Sequence, residues 1–373
     1  MRTELCDRFG IEYPIFVFTP SEKVAAAVSK AGGLGVLGCV RFNDADDLEN
    51  VLQWMDANTD GKPYGVDVVM PAKVPTEGTS VDINKLIPAE HREFVDKTLA
   101  DLGVPPLPED EDRSEGVLGW LHSVARSHVE VALKHPIKLI ANALGSPPKD
   151  VIDQVHAAGV PVAALAGSPK HALRHVENGV DIVVAQGHEA GGHTGEIGSM
   201  VLWPEIVDAL DGKAPVLAAG GIGTGRQVAA ALALGAQGVW MGSAFLTSAE
   251  YDLGVRLESG RSVIQEAMLN ATSADTVRRR IYTGKPARLL KSRWTDAWDA
   301  EGAPDPLPMP LQNILVSEAH QRMSQSADPT TVAMPVGQIV GRMNEIRPVA
   351  DIIAELVSGF EEATKRLDGI RGS

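Results

Sequence analysis

The residues best suited to chemistry lie in one glycine-rich segment, AQGHEAGGHTG, at positions 185–195. Its titratable side chains are His188, Glu189 and His193. A histidine has a pKa near neutral and can remove a proton from a carbon acid, so the segment offers a candidate general base. On these residues alone, either histidine could instead be a loop residue whose ring bonds to the backbone.

The same segment also suits a flat ligand. Gln186 can hydrogen-bond the edge of a planar ring, and Gly191 and Gly192 leave room for such a ring to approach the backbone. The string HEAGGH is not a helical zinc motif, because its glycines break the helix that would bring both histidines to one face. We therefore predict no metal here.

Two further loops, AAGGIGTG and WMGSAF, have the composition of a phosphate site. Gly220, Gly221 and Gly223 allow the backbone to point N–H groups outward, and the N-terminus of a following helix adds partial positive charge. Gly242 and Ser243 add further donors. The glycine spacing does not match a dinucleotide fingerprint. Loops after the seventh and eighth strands of β/α barrels commonly bind phosphate, so this pair predicts a phosphorylated ligand.

Eight short apolar segments would carry these loops. They are rich in Val, Ile, Leu and Ala, as expected of parallel strands buried on both faces. The predicted strands are residues 14–18, 34–37, 64–70, 137–141, 161–165, 180–185, 215–219 and 238–241. Helical patterns alternate with them. We therefore predict an α/β fold, a (β/α)8 TIM barrel, over the alternative of an open doubly wound sheet.

Two segments lie outside this repeat. Residues 72–135 are too long for a plain connection, so we predict an insertion after the third strand that acts as a lid over the barrel mouth. Within it, residues 117–133 have a helical pattern. Residues 249–373 form a predicted C-terminal extension, which contains TGKPARLLKSRW and a closing helix at 348–367. We expect residues 1–373 to form a single domain.

Composition narrows the range of partners. The 373-residue chain has a formal net charge of −15 and 44% hydrophobic residues, which is typical of a globular protein with an acidic surface. Such a surface repels nucleic acid and anionic membranes, so we expect neither as a partner. Cys6 and Cys39 are interpreted as buried, unpaired thiols. The N-terminus lacks the apolar stretch of a signal peptide, so we expect a cytoplasmic protein.

Several conspicuous residues are assigned to structure instead of chemistry. Trp203 and Trp294 are predicted to pack in the core. Lys285, Arg288 and Arg293 are predicted to be solvated charges or surface ion pairs. The acidic run at 109–112 is expected to be a solvated loop.

Taken together, these segments resemble the nitronate monooxygenase family, once called 2-nitropropane dioxygenases. Flavin-dependent enoyl-acyl-carrier-protein reductases share its fold. The matching strings are YPI, AAAVSKAGGLGVLG, PYGVDVVMP, QGHEAGGHTG, APVLAAGGIGTGRQVAAALALGAQGVWMGSAFL, GKPARLLKSRW and PVGQIVG. The resemblance spans nearly the whole chain except the insertion, and it implies that the cofactor is FMN.

The resemblance also implies roles for individual residues. His193 matches the histidine that abstracts the proton α to the nitro group. The predicted FMN-binding residues in the three loops are Gln186, Gly191, Gly192, Gly220, Gly221, Trp240, Met241, Gly242 and Ser243.

Two positions depart from the family pattern. Asp67 stands where the family usually has an asparagine, and an ionised aspartate can only accept a hydrogen bond. A contact from Asp67 to the flavin would therefore be altered, unless its carboxyl stays protonated. The first β/α loop is shorter by about four residues and lacks the usual methionine, so Phe18 and Thr19 would supply its flavin contacts.

Three functions remain open at this stage. The first is oxidation of a nitronate or nitroalkane by dioxygen, with FMN as cofactor and His193 as base. The second is a flavin-dependent reductase or dehydrogenase that acts on an acyl thioester with NADH or NADPH. The third is a barrel that binds a phosphorylated ligand without catalysis. The sequence does not predict the oligomeric state.

Overall fold

Eight parallel strands close into a barrel in this computed structural model, which describes residues 1–70, 86–108 and 122–371. The barrel strands are β1 (Ile15–Thr19), β2 (Leu34–Gly38), β3 (Tyr64–Val68), β4 (Ile140–Asn142), β5 (Val162–Ala166), β6 (Ile182–Gln186), β8 (Val216–Ala219) and β9 (Gly238–Met241). They follow one another around the barrel in chain order, and β1 pairs with β9 to close it. The predicted TIM barrel is confirmed, and the open sheet is excluded.

Helices surround the barrel as the alternation predicts. They are α2 (Glu22–Lys30), α3 (Ala45–Asn58), α5 (His122–Ala132), α6 (Lys149–Ala157), α7 (Pro169–Glu177), α8 (Ser199–Leu210) and α9 (Gly225–Ala233). Side chains cap several of them. Ser21 accepts from the N–H of Val24 at 3.4 Å, and Thr224 accepts from the N–H of Gln227 at 3.4 Å.

The barrel interior is filled by side chains from the inward face of the strands. Phe16, Leu34 and Leu217 are fully buried there. A first helix, α1 (Glu4–Phe9), packs against this cluster, and the Phe9 and Phe16 rings meet edge to face at 5.3 Å. The interior is therefore a packed core, and in β/α barrels of this kind ligands bind beyond the carboxyl ends of the strands.

The segment after β3 contains two described helices with different partners. Helix α5 packs Ala125 and Val129 into the cluster that contains Leu48 and Leu52 of α3, so it occupies the position of a regular crossover helix. The extra residues thus precede α5. The other helix, α4 (Ala89–Asp101), packs against the C-terminal extension instead. Residues 71–85 and 109–121, which include the acidic run and the start of the predicted helix 117–133, lie outside the described residues.

The C-terminal extension shares a hydrophobic cluster with the barrel. Its elements are α10 (Val263–Leu269), β10 (Thr276–Arg279), β11 (Ala287–Leu290), α11 (Arg293–Trp298), α12 (Leu311–Gln325) and α13 (Val349–Arg371). The closing helix was predicted, whereas α12 was not. Strand β11 pairs with β10 and with a short strand β7 (Gly192–His193) in a separate antiparallel sheet. The extension is therefore joined directly to the chemistry-bearing segment.

A close crossing of α9 and α13 fixes the extension to the barrel. A Cβ atom at Gly225 would lie 2.3 Å from the carbonyl oxygen of Leu356, so only glycine permits this approach. In the part of the chain that the structure describes, no helix combines the length and the apolar character needed to cross a membrane. Cys6 and Cys39 are buried and unpaired with each other, as predicted.

Candidate active site

A cavity of about 680 Å³ lies at the carboxyl ends of the barrel strands. Twelve of the thirteen predicted site residues line it: Phe18, Asp67, Gln186, Gly191, Gly192, His193, Gly220, Gly221, Trp240, Met241, Gly242 and Ser243. The barrel brings them together because parallel strands all end at the same edge. The predicted residue that does not line the cavity is Thr19.

The short loop after β1 explains this difference. Thr19 is buried, and its hydroxyl accepts a hydrogen bond from the N–H of Ser21 at 3.1 Å, which holds the turn into α2. Phe18 instead places its ring against the end of β2, where a Cβ atom at Gly38 would lie 2.9 Å from it. The loop therefore presents an aromatic wall to the cavity, whereas its hydroxyl group forms a hydrogen bond within the loop.

The two predicted phosphate loops present unused donors. Gly220 and Gly221 have φ of 100° and 72°, the left-handed region that glycine adopts without strain. The N–H groups of Gly221, Gly242 and Ser243 donate to no described residue. These donors match an anion such as a phosphate group. The N–H of Gly223, by contrast, donates to Gln227 Oε1 at 2.9 Å and is already satisfied.

The QGHEAGGHTG segment is held in place by several contacts. Glu189 accepts hydrogen bonds from the N–H and the hydroxyl of Ser199, each at 2.9 Å, which anchors the segment to the start of α8. Trp203 is buried as predicted, and its Nε1 donates to the carbonyls of Ala185 and Ala219 at 3.1 Å. Helix α8, to which the segment is anchored, is thus tied to two neighbouring barrel strands, β6 and β8.

Gly191 is required for a reason that the sequence did not reveal. A Cβ atom there would lie 2.7 Å from the carbonyl carbon of Val336 and 2.8 Å from the nitrogen of Gly337. The close neighbour is therefore the backbone of the C-terminal extension. The N–H of Gly337 also donates to Ser243 Oγ at 2.9 Å, so the extension ties the two loops together.

The two histidines have different roles in the structure. The Nδ1 atom of His188 lies 3.1 Å from the carbonyl oxygen of Gly195, which agrees with its interpretation as a loop histidine. His193 lines the cavity, and its Nε2 atom lies 2.6 Å from Thr283 Oγ1. Burial, and secondarily the positive charge of Lys285, lowers the pKa of His193 to about 4. The ring is therefore neutral near pH 7, the state a general base needs.

Arg288 corrects one prediction. It is not a solvated or surface-paired charge, because it is only 4% exposed. Its Nε and Nη2 atoms donate to the carbonyl of His188 at 3.1 and 3.0 Å, and Nη1 donates to Thr276 at 3.1 Å. The pairing of β11 with β7 brings it beneath the histidine segment. Arg293, by contrast, forms the predicted surface ion pair, with Asp328 at 3.1 Å.

Asp67 lies near the end of β3 and also lines the cavity. Its side chain is 2% exposed, and burial raises the pKa of its carboxyl to about 8. The carboxyl is therefore mainly protonated near pH 7, and a protonated carboxyl can both donate and accept a hydrogen bond.

Sequence reasoning missed part of the cavity wall, namely one side chain from the loop after β2 and several from the extension. Arg41 follows β2, and Tyr282, Asn313 and His320 come from the extension. The Tyr282 and His320 rings stack at 4.8 Å. The conspicuous string TGKPARLLKSRW was the one signal for Thr283. Helix α12 gave little signal, because its buried and cavity-lining residues occupy most of its circumference.

A model of the nitronate monooxygenase family matches residues 2–359. The chain belongs to the nitronate monooxygenase family. It is thus an enzyme and an oxidoreductase, and the non-catalytic alternative is wrong. Members of this family typically depend on flavin and act on small molecules.

Individual relatives match nearly the whole chain. Rv1533 of Mycobacterium tuberculosis, named as a candidate monooxygenase, is 46% identical over 99% of both chains. A Staphylococcus aureus protein named "Probable nitronate monooxygenase" is 28% identical over 97% of this chain and 98% of its own.

Solved structures agree with this assignment. The nitroalkane oxidase of Streptomyces ansochromogenes is 27% identical, with a TM-score of 0.78 over 97% of this chain and 99% of its own. FabK of Thermotoga maritima is 28% identical, with a TM-score of 0.74 over 99% of both chains. Each of these matches therefore spans nearly the full length of both chains.

Three observations indicate that FMN fits this cavity. The free N–H groups of Gly221, Gly242 and Ser243 suit a phosphate. The buried carboxyl of Asp67 is a polar group that lines a cavity large enough for an organic cofactor. Gln186 adds an amide near the same strand ends.

Proposed function

We propose that this enzyme uses FMN to oxidise nitronates, and the nitroalkanes from which they derive, with dioxygen. The observation that carries this proposal is the shared cavity of His193 and the two glycine loops. A neutral base lies in the same enclosed space as a set of unused phosphate-type donors. Such a site suits a carbon acid that must lose a proton beside a phosphorylated cofactor.

The protein's residues would divide the work as follows. The backbone N–H groups of Gly221, Gly242 and Ser243 would hold the phosphate of FMN, and Gln186 and Asp67 would bond to its ring. The imidazole of His193 would take the α proton of a nitroalkane and hold it as the nitronate forms. When bound, FMN would supply the redox chemistry, as the acceptor of electrons from the nitronate and their donor to dioxygen.

The enclosure of the site supports the proton step. Phe18 and the extension form walls of the cavity that His193 lines, and burial keeps its imidazole neutral and able to accept a proton. Thr283 fixes the ring from the side of the extension.

Anaerobic reduction of the FMN-loaded protein tests the proposal. The protein is mixed without dioxygen with the nitronate of 2-nitropropane, with NADPH or with NADH, and flavin absorbance is followed in time. We expect rapid bleaching by the nitronate and slow bleaching by both nicotinamides. Rapid bleaching by a nicotinamide, with none by the nitronate, would overturn the proposal.

One observation favours a second candidate, reduction of an acyl thioester by NADH or NADPH. The cavity continues from the barrel mouth into the extension, where Leu253, Val255, Met323 and Met334 give it an apolar wall. Such a wall would accept an acyl chain. The same anaerobic experiment separates the two candidates, because only the reductase requires fast electron transfer from a nicotinamide.

A further inference from the structure

Asp67 is a buried acid for which the described protein supplies no hydrogen-bonding partner. In the barrel it lies between Gly38 of β2 and Ala141 of β4. The nearest polar side chain at the end of β4, Asn142, is already used, because it bonds to the backbone of Met70 and Gly145. No described residue donates to the Asp67 carboxyl or accepts from it, although the side chain is 2% exposed and lines the cavity.

A buried polar group without a partner costs stability, commonly about 1–3 kcal/mol, unless a ligand satisfies it. The orientation of Asp67 toward the cavity therefore points to a ligand that hydrogen-bonds there. The flavin ring offers both carbonyl acceptors and an N–H donor along its edge. A protonated carboxyl can match either kind of group, whereas an ionised carboxylate can only accept and would place a negative charge in an enclosed site.

The charges around Asp67 do not compensate an ionised state. The elements packed against β3 contribute two buried groups, Cys39 and His128, and the half-buried Arg41. Burial keeps the Cys39 thiol protonated by raising its pKa, and it lowers the pKa of His128 to about 4. The Arg41 guanidinium is paired with Glu22, to which it donates at 2.6 Å. The pKa of Asp67 is raised by burial. At the surface, the same elements contribute Glu22, Lys23, Lys30, Arg126 and Glu130.

Other titratable groups of the cavity keep one charge state from neutral to moderately alkaline pH. Burial lowers the pKa of His193 and of His320 to about 4. It raises the pKa of Tyr251 and of Tyr282. A change in ligand binding over this range therefore reports on Asp67.

We propose that Asp67 binds the flavin ring as a neutral carboxylic acid, so that the affinity for FMN falls as this carboxyl loses its proton. Asp67 thereby makes the cofactor content of the enzyme sensitive to alkaline pH. This inference rests on the proposed function in one respect only, namely that FMN is the cofactor.

The test is the affinity of the apoprotein for FMN as a function of pH. Quenching of FMN fluorescence gives the Kd from about pH 7 to about pH 9.5 for the wild type, for Asp67→Asn and for Asp46→Asn. Asparagine has nearly the shape of a protonated aspartate and does not titrate. The third protein is a matched control, because Asp46 is an exposed carboxylate in the first turn of α3.

We expect the wild-type Kd to rise roughly 30-fold over this range, since each pH unit above the titration of Asp67 costs about tenfold in affinity. Asp46→Asn should behave like the wild type, and the Kd of Asp67→Asn should change less than about threefold. Any titration of FMN itself appears equally in all three proteins. An equal pH dependence in wild type and Asp67→Asn would overturn the inference.

A second measurement needs only the wild type, in case the variant does not fold. Calorimetric titration with FMN in buffers of different ionisation enthalpy counts the protons bound on complex formation. We expect uptake of a substantial fraction of one proton at about pH 8.5 and almost none at about pH 7. No uptake at the higher pH would overturn the role of Asp67. Absence of FMN binding at neutral pH would overturn both this role and the cofactor, whereas tight, pH-independent binding would overturn the role alone.

Discussion

The Nε2 atom of His193 lies 2.6 Å from the hydroxyl oxygen of Thr283, although 90 residues separate them along the chain. The two residues meet because β7 pairs with β11 of the extension, with His193 opposite Ala287. The backbone N–H of Lys285 also donates to the Thr283 hydroxyl, at 3.4 Å. The candidate base is thus oriented by the extension and not by the barrel that carries it.

Replacing His193 by asparagine should separate the proton step from the oxidation step. We expect His193→Asn to retain FMN and to lower kcat/KM for a neutral nitroalkane by about 10²–10⁴, because general-base catalysis is worth that much. Turnover of the preformed nitronate, which needs no base, should change less than about tenfold. Steady-state oxygen consumption with the two forms of one compound measures both. An equal loss on both would contradict the base role.

Removing the Thr283 hydroxyl should leave His193 in place but make its imidazole ring less well oriented. We expect Thr283→Val to lower kcat on the nitroalkane by about tenfold, since a lost hydrogen bond is worth roughly 1–1.5 kcal/mol, and to leave KM nearly unchanged. Thr283→Ser keeps the hydroxyl and should restore most of kcat. If the serine variant were as slow as the valine variant, the methyl group and its packing would be responsible instead.

The pKa of His193 predicts an unusual pH profile. Because burial lowers this pKa to about 4, the imidazole stays neutral well below the pH at which an exposed histidine is protonated. We expect kcat/KM on a nitroalkane to be constant from about pH 5 to neutral and to fall only as pH approaches about 4. An acid limb near pH 6.5 would show that the base is solvated in the working enzyme.

Asp67 should lower the stability of the apoprotein at neutral pH. Its pKa is raised in the folded state, from 3.8 to about 8, so the folded state keeps a proton that the unfolded chain loses. The free energy of unfolding therefore falls as pH rises through this window. We expect Asp67→Asn to gain on the order of 3 kcal/mol near pH 7 and almost nothing near pH 4, measured by urea denaturation. A gain of the same size at both pH values would argue against titration as its cause.

The crossing of α9 and α13 should tolerate no side chain at Gly225. A Cβ atom there would lie 2.3 Å from both Leu356 O and Phe360 N, which are backbone atoms that cannot rotate away. We expect Gly225→Ala to cost about 1–3 kcal/mol and to lower the melting temperature. Gly369→Ala is the matched control, since Gly369 is exposed in α13 with no atom within 4 Å of its added Cβ. A similar loss in both variants would show that the close approach of α9 to α13 is not the cause.

The barrel and twelve of the cavity-lining residues could be predicted because their signals are local. Each strand is a short apolar run, and glycines next to that run indicate each ligand-binding loop. Once the strands are parallel, their ends must converge, which brings Gln186, Gly221 and Ser243 to one cavity. Thr19 shows the limit of this reasoning, because a hydroxyl in the right loop can still be used by the loop's own turn.

The sequence by itself determined the barrel, the glycine loops and the residue types available for chemistry. Tertiary structure alone decided what those residues can do. The pairing of β7 with β11 depends on contacts between distant segments, and it placed Thr283 beside His193 and buried Arg288 under the histidine segment. Burial, which no residue type encodes, kept His193 neutral and left Asp67 protonated in the cavity.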